Sequence, residues 1–407
     1  MTAIRRFLAP SYETNIPKFF AYRVLYNFML FLPVWVIYMQ GKFGLTLTEV
    51  TLNDSAFWIT MALTEVPTGA VADAWGRKQS QIIGMLIATG AILLFALAPT
   101  YPLVLLGNSL WAFGITFISG ADLAFFYDTL RVLDRQAEYP KYRARLQAYV
   151  LASIALSSVL GGLLGEVSLV STFTLTAAMM LVATLLVFSL KEPPREADPD
   201  SGEHMSYLKI LAVTFRAIGK YPGLRYALIF SSLLPLLGSA IQVTFMQPYA
   251  IGIGLPIAAL GVIALGLRAS QFTGALNAGR VLDRLGEWRW LWLAPVVICG
   301  GVIALGFFNS VLGIVLFALT GFATAISTPL IESIILRQTP GAVRATVLSV
   351  DSLLNRFLLA LLGPGIGLLA DHYGLPSAFI WVGLGFGLLT LLVLLFWQRE
   401  VRLASRA

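Results

Sequence analysis

The run Gly69-Ala-Val-Ala-Asp73-Ala-Trp-Gly76-Arg77-Lys78 decides the fold, because its pattern occurs twice. Residues 279–286 read Gly-Arg-Val-Leu-Asp-Arg-Leu-Gly, so Gly-x3-Asp-x2-Gly returns at an offset of 210 residues, as Gly279, Asp283 and Gly286. A second echo lies at nearly the same offset: Gly162-Leu-Leu-Gly-Glu166 is answered by Gly367-Leu-Leu-Ala-Asp371, 205 residues on. Two echoes at nearly one spacing in a chain of 407 residues imply two duplicated halves. Glycine at position 69 lets its helix approach a neighbour, and Gly76 permits a tight turn. Asp73 suits the positive end of another helix. Arg77 can pair with a carboxylate, for which Asp128 and Asp122 are the candidates.

Outward from that run, the chain is almost continuously apolar. It is 58% hydrophobic and 12% charged, with a mean hydropathy of +0.81. A soluble domain needs more polar surface than this. Crossing a hydrocarbon core of ~30 Å takes roughly 20 apolar residues as a helix, and lipid leaves backbone groups no partner outside the span. Spans are predicted near 17–40, 53–72, 81–99, 103–125, 147–166, 171–190, 225–249, 256–280, 288–307, 310–335, 345–370 and 376–397. The one clearly polar stretch, 191–204, lies at the midpoint. This gives a six-helix bundle over 1–190, a cytoplasmic linker with an interfacial helix over 191–222, and a second bundle over 223–407. The fold class is therefore an all-α membrane protein of twelve transmembrane helices.

Basic residues alternate with the spans. Arg5 and Arg6, Arg77 and Lys78, Arg131 to Arg145, Lys191 to Arg225, Arg280 to Arg289, Arg337 and Arg344, and Arg399 to Arg406 fall on one side, while the other side holds only Lys42. The positive-inside rule then puts both termini in the cytoplasm of an inner membrane. The net charge of +7 comes from these loops, so nucleic-acid binding is excluded. The single cysteine, Cys299, can form no disulfide within the chain and no metal site. No cofactor is expected, and no nucleotide-binding Gly-x4-Gly-Lys run occurs. No nucleophile–base constellation emerges either, so an enzyme is not expected.

The loop Gly69 to Lys78 after the second span, the span count and the central linker resemble the major facilitator superfamily over essentially the whole chain. The resemblance implies two pseudo-symmetric six-helix bundles, transport by alternating access, and usually a monomer. It also implies that Gly69, Asp73, Gly76, Arg77, Lys78, Asp128, Gly279, Asp283 and Gly286 latch the halves rather than bind substrate. The segment 65–73, with Ser119 to Asp128, is similar to a bacterial drug-efflux-like branch. Two features depart from the proton antiporters of that branch: residues 107–114 carry no arginine, and Gly161-Gly162 follows two serines rather than a Gly-Pro pair.

Ionisable residues inside spans carry an insertion penalty of ~2.5–3.5 kcal/mol at the centre, which makes them functional candidates by default. Glu65 and, second, Asp122 are the proton-coupling candidates. Arg268, in mid-span among apolar and small residues, must face a cavity or a carboxylate such as Asp351. Arg23 with Asn27, and Asp351 with Asn355 and Arg356, repeat an i,i+4 spacing that puts each pair on one helix face. Tyr26, Gln242, Phe245, Met246 and Gln271 complete the substrate-cavity candidates. The expected function is proton-coupled export of hydrophobic or amphiphilic small molecules. Two other readings stay open, proton-coupled movement of a small organic anion and a membrane sensor that has lost turnover.

Overall fold

In the computed structural model, residues 9–194, 222–339 and 344–404 are described. The linker helix expected within 191–222 falls largely outside the described residues. Helices account for nearly all of the rest, and no strand occurs among the described residues. In chain order they are α1 (Tyr12–Tyr26), α2 (Trp35–Phe43), α3 (Leu47–Trp75), α4 (Arg77–Leu97), α5 (Tyr101–Ser119), α6 (Asp122–Val132), α7 (Tyr139–Val167) and α8 (Leu169–Phe188). After the linker come α9 (Pro222–Ala240), a π-helical segment Ile241–Phe245, α10 (Met246–Gly252), α11 (Ile257–Leu285), α12 (Glu287–Leu305), α13 (Leu312–Gln338), α14 (Arg344–Tyr373) and α15 (Leu375–Ala404).

Ten stretches of the described residues are long and apolar enough to cross a membrane. The two remaining predicted spans correspond to α1 with α2, which are interrupted, and to α3, which carries Glu49, Asp54, Glu65 and Asp73. Long apolar faces point outward. Leu185, Leu361 and Leu388 are each at least 60% exposed, which suits helices whose solvent is lipid.

The interruptions have local causes. Residues 27–34 are turns between α1 and α2. Pro33 has no N–H to donate to the carbonyl four residues back. The Asn27 amide instead donates to the carbonyl of Arg23 at 2.7 Å and closes α1. Offset by 210 residues, 27–34 becomes 237–244, which overlaps the π-helical segment Ile241–Phe245. Pro248, one turn on, likewise withholds a donor. The first half thus breaks this span, and the second half widens it into a π-helical turn close to the equivalent position.

The described residues group into two compact units. One draws on Met1–Tyr38, Ala56–His204 and Ile257–Val262, the other on Met39–Ser55, Met205–Pro256 and Ile263–Ala407. The division follows the midpoint except for two exchanged pieces, and the second echo in the sequence explains both. Asp371, ending α14, accepts the N–H groups of Leu47 and Thr48 at 2.9 and 2.8 Å where α3 begins. Glu166, ending α7, accepts the N–H of Ala258 at 2.8 Å where α11 begins. Four residues earlier stands a glycine in each case. A Cβ on Gly367 would lie 2.8 Å from the Leu47 carbonyl, and one on Gly162 2.7 Å from the Ala258 carbonyl. Glycine admits the neighbouring helix, and the carboxylate caps its first turn.

The first echo is a turn. Gly76 has φ 123° and Gly286 φ 80°, a region that only glycine enters without strain. Gly69 and Gly279 are different. A Cβ at either would meet nothing within 4 Å, whereas one at 162 or 367 would meet the backbone of another helix.

Candidate functional site

In the first unit, the broken helices bring Arg23 and Asp122 together. Gly120 and Ala121 separate α5 from α6, so Asp122 opens a new helix, where the exposed N–H groups favour a carboxylate. Its Oδ1 accepts from the N–H of Leu123 at 2.6 Å, and its Oδ2 forms an ion pair with Arg23 of α1. The aspartate is 3% exposed. The guanidinium also lies 5.8 Å from the centre of the Tyr26 ring, and Tyr22 and Phe19 bury this end of α1. Asp122 is therefore engaged by Arg23, and Arg77 takes the other candidate partner.

Arg77 forms an ion pair with Asp128 and donates to the carbonyl of Ala124 at 2.8 Å. Arg131 approaches the second oxygen of Asp128 at 3.5 Å. The N–H groups of Arg77 and Lys78 donate to Glu192 at 3.0 and 2.8 Å, so the first linker residues cap α4. The side chain of Asp73 lies outside the described residues. In the second unit, Arg337 donates to both oxygens of Glu287, at 2.9 and 2.8 Å. Glu287 lies 210 residues after Arg77, and Arg337 lies 209 after Asp128. The repeat keeps the ion pair and reverses its charges. Neither Glu287 nor Arg337 was singled out from sequence, although the offset itself points to them. Asp283 is exposed.

The second unit holds a cavity of about 370 Å³ between α9, α13 and α14. Asp351 and Glu332 both line it, with Ser231, Thr328, Ser352 and Asn355, and no cationic side chain does. Asp351 accepts from the Ser231 hydroxyl and, at 3.3 Å, from the Asn355 amide. The expected i,i+4 pair is thus real, and Asp351 is held without Arg268. Nothing in the sequence marked Ser231.

Arg268 instead donates to the Gln271 side chain at 3.2 Å, and Gln271 donates to Gln242 at 2.8 Å. Gln242 belongs to the π-helical segment and is 5% exposed. Its amide lies 3.4 Å from the Thr320 hydroxyl of α13. Phe245 and Met246, 1% and 3% exposed, are packed inside the unit, with Phe245 edge-on to Phe379, so these two do not line an open cavity. Glu65 is an exposed position of α3, and Arg356 is half-buried on α14.

Interrupted helices, mid-span polar residues and duplicated halves define the class as a multi-pass membrane transporter. The signature described as Major Facilitator Superfamily matches residues 24–364, and the chain belongs to that family. Its members carry small-molecule substrates rather than transform them. The chain is similar to Multidrug resistance protein 1 of Bacillus subtilis (strain 168), at 25% identity over 177 residues. That match spans 43% of this chain and 44% of that protein. The fold is similar to the nucleoside transporter NupG, with a TM-score of 0.73 at 15% identity, covering 96% of this chain and 98% of that one. It is similar also to a bacterial homologue of the human lysosomal transporter Spinster in an inward-facing, unoccupied conformation (TM-score 0.70, 16% identity, 97% of both chains). A D-xylose–proton symporter follows with a TM-score of 0.69 at 13% identity, over 95% of this chain and 96% of that one. At such identities these structures bear on the fold alone.

Proposed function

We propose that this chain is a proton-coupled secondary transporter of the inner membrane. It exports hydrophobic or amphiphilic small molecules by alternating access, as a monomer with both termini in the cytoplasm. The observation that carries the coupling is the cavity of Asp351 and Glu332. Two carboxylates facing one cavity with no cation among the lining residues repel each other when both are ionised, and a proton taken up between them removes that repulsion. Asp122 is already neutralised by Arg23, which makes it the weaker carrier. Glu65 stays a candidate from its place on α3. Export is supported by the partial similarity to the Bacillus protein.

The test uses inside-out vesicles energised to an acidic lumen. A panel of lipophilic cations and organic anions is added while lumenal pH is followed. Substrate-driven proton release is expected from the wild type. It should fall about tenfold or more in Asp351→Asn, as expected of a positioned proton-transfer group, and partially in Glu65→Gln. Proton release that persists in Asp351→Asn moves coupling away from the cavity. No proton movement with either class, in folded protein, overturns the coupled reading.

A further inference from the structure

Arg268 lies on the twelfth residue of α11, about 16 Å along the helix at 1.5 Å per residue. That is the middle of a span. A guanidinium at this depth is expected to face a carboxylate or an aqueous space. Among the described residues it has no carboxylate partner. What it has is a chain of three neutral groups: Gln271, Gln242 and Thr320.

The direction of that chain is fixed by chemistry. Arginine can only donate. Gln271 must therefore turn its oxygen to Arg268, which leaves its NH2 to donate to Gln242. Gln242 must in turn offer its oxygen to Gln271 and direct its NH2 to Thr320. The Thr320 hydroxyl donates onward to the Phe317 carbonyl at 2.9 Å. Each amide oxygen is engaged, every hydrogen bond points away from Arg268, and the guanidinium keeps its remaining N–H donors. The assembly has donors to spare and a positive charge.

Two features of the fold build the assembly. The π-helical turn Ile241–Phe245 re-aims Gln242 relative to the rest of its span, as such turns do at functional sites. At Gly321 a Cβ would lie 2.8 Å from the Gln242 nitrogen and 2.9 Å from its oxygen, so the missing side chain makes room for that amide.

From this we infer that Arg268, oriented through Gln271 and Gln242, is a binding site for the anionic group of the substrate, and that the transported compounds include amphiphiles bearing a carboxylate. An acceptor-only, negatively charged group completes the unused donors; an ammonium group meets a like charge. The inference rests on the transport reading for its biological meaning and on Arg268 for its chemistry.

The test measures binding with no pH gradient, on the full chain in lipid nanodiscs, with empty nanodiscs subtracted. Three matched fluorescent probes are used at neutral pH: dansyl-aminoundecanoic acid, its methyl ester, and the corresponding trimethylammonium amphiphile. The wild type is expected to bind the acid about tenfold more tightly than the ester, in line with a charge-assisted hydrogen bond, and the ammonium no better than the ester. Arg268→Gln should erase the preference for the acid over the ester. Gly321→Ala, which removes no polar group and displaces only the Gln242 amide, should reduce the preference in part. An undiminished acid preference in Arg268→Gln, a wild-type preference for the ammonium, or no binding of the acid to folded protein overturns the inference. An acid preference without proton movement in vesicles keeps this site and removes the coupling proposal; proton release without an acid preference does the reverse.

Discussion

Among the described residues of the first unit, Arg23 and Asp122 form the best-buried ion pair, with side chains 18% and 4% exposed. Removing one partner of such a pair leaves a desolvated charge behind, which typically costs about 3–5 kcal/mol. Arg23→Ala should therefore lower thermal stability sharply, and Arg23→Ala with Asp122→Ala should recover part of the loss. A double-mutant cycle on unfolding temperatures checks this, and additive losses from Arg23→Ala and Asp122→Ala would deny the pairing. The charge-reversed pair in the second unit is 55% and 44% exposed, so Arg337→Ala should cost at most about 1 kcal/mol. Glu287→Arg should be worse than Arg337→Ala, because it opposes two arginines, and Glu287→Arg with Arg337→Glu should restore the parent. At this scale sequence reasoning named Arg23, Asp122, Arg77 and Asp128 individually. It paired Arg77 with two candidate aspartates and could not choose. The choice depends on where α6 starts, and that is set by the break at Gly120.

The elements show the repeat most directly. A break at 27–34 is answered by a π-helical turn at Ile241–Phe245, each with a nearby proline that withholds a backbone donor. The paired Gly-x3-acid motifs at the ends of α7 and α14 each receive the start of another helix. Asp371→Ala removes an acceptor from two backbone N–H groups and one hydroxyl of Thr48, and capping losses of this kind run to about 0.5–2 kcal/mol. Gly162→Ala should do more, because the added methyl meets backbone on α11 at 2.7–2.9 Å and the helices must part. Gly252→Ala, with open space around it, is the control and should leave unfolding unchanged. Equal stability of the Gly162 and Gly252 variants would mean that the α7 and α11 contact tolerates a Cβ. These motifs were visible in the sequence as an echo. Their purpose was not, since a spacing of 205 residues carries no sign of which helix start lies opposite.

At the scale of the whole molecule, the chain's single cysteine supplies the means to follow these changes. Cys299 is 3% exposed on α12. A thiol-reactive dye should label the native protein slowly and label it cooperatively on heating, because access requires the second unit to open. Rapid labelling at low temperature would mean that α12 opens locally without global unfolding. The same assay reads the substitutions of the second unit, at Glu287, Arg337 and Asp371, without a new probe.

The membrane, the helices, the duplication and the family are legible in the chain, because hydropathy, charge alternation and repeated motifs are local or periodic properties. Sequence reasoning also named several ionisable residues within the spans, since each stands out against apolar neighbours. Their partners follow from packing. Asp351 turned out to belong to Ser231 and Asn355, Asp122 to Arg23, and Arg268 to two glutamines rather than to an acid. Phe245 and Met246, candidates by residue type, turned inward into packing. A buried charge or amide takes the partner that helix packing and helix breaks bring within hydrogen-bond reach, and that distance is fixed by residues tens to hundreds of positions away along the chain.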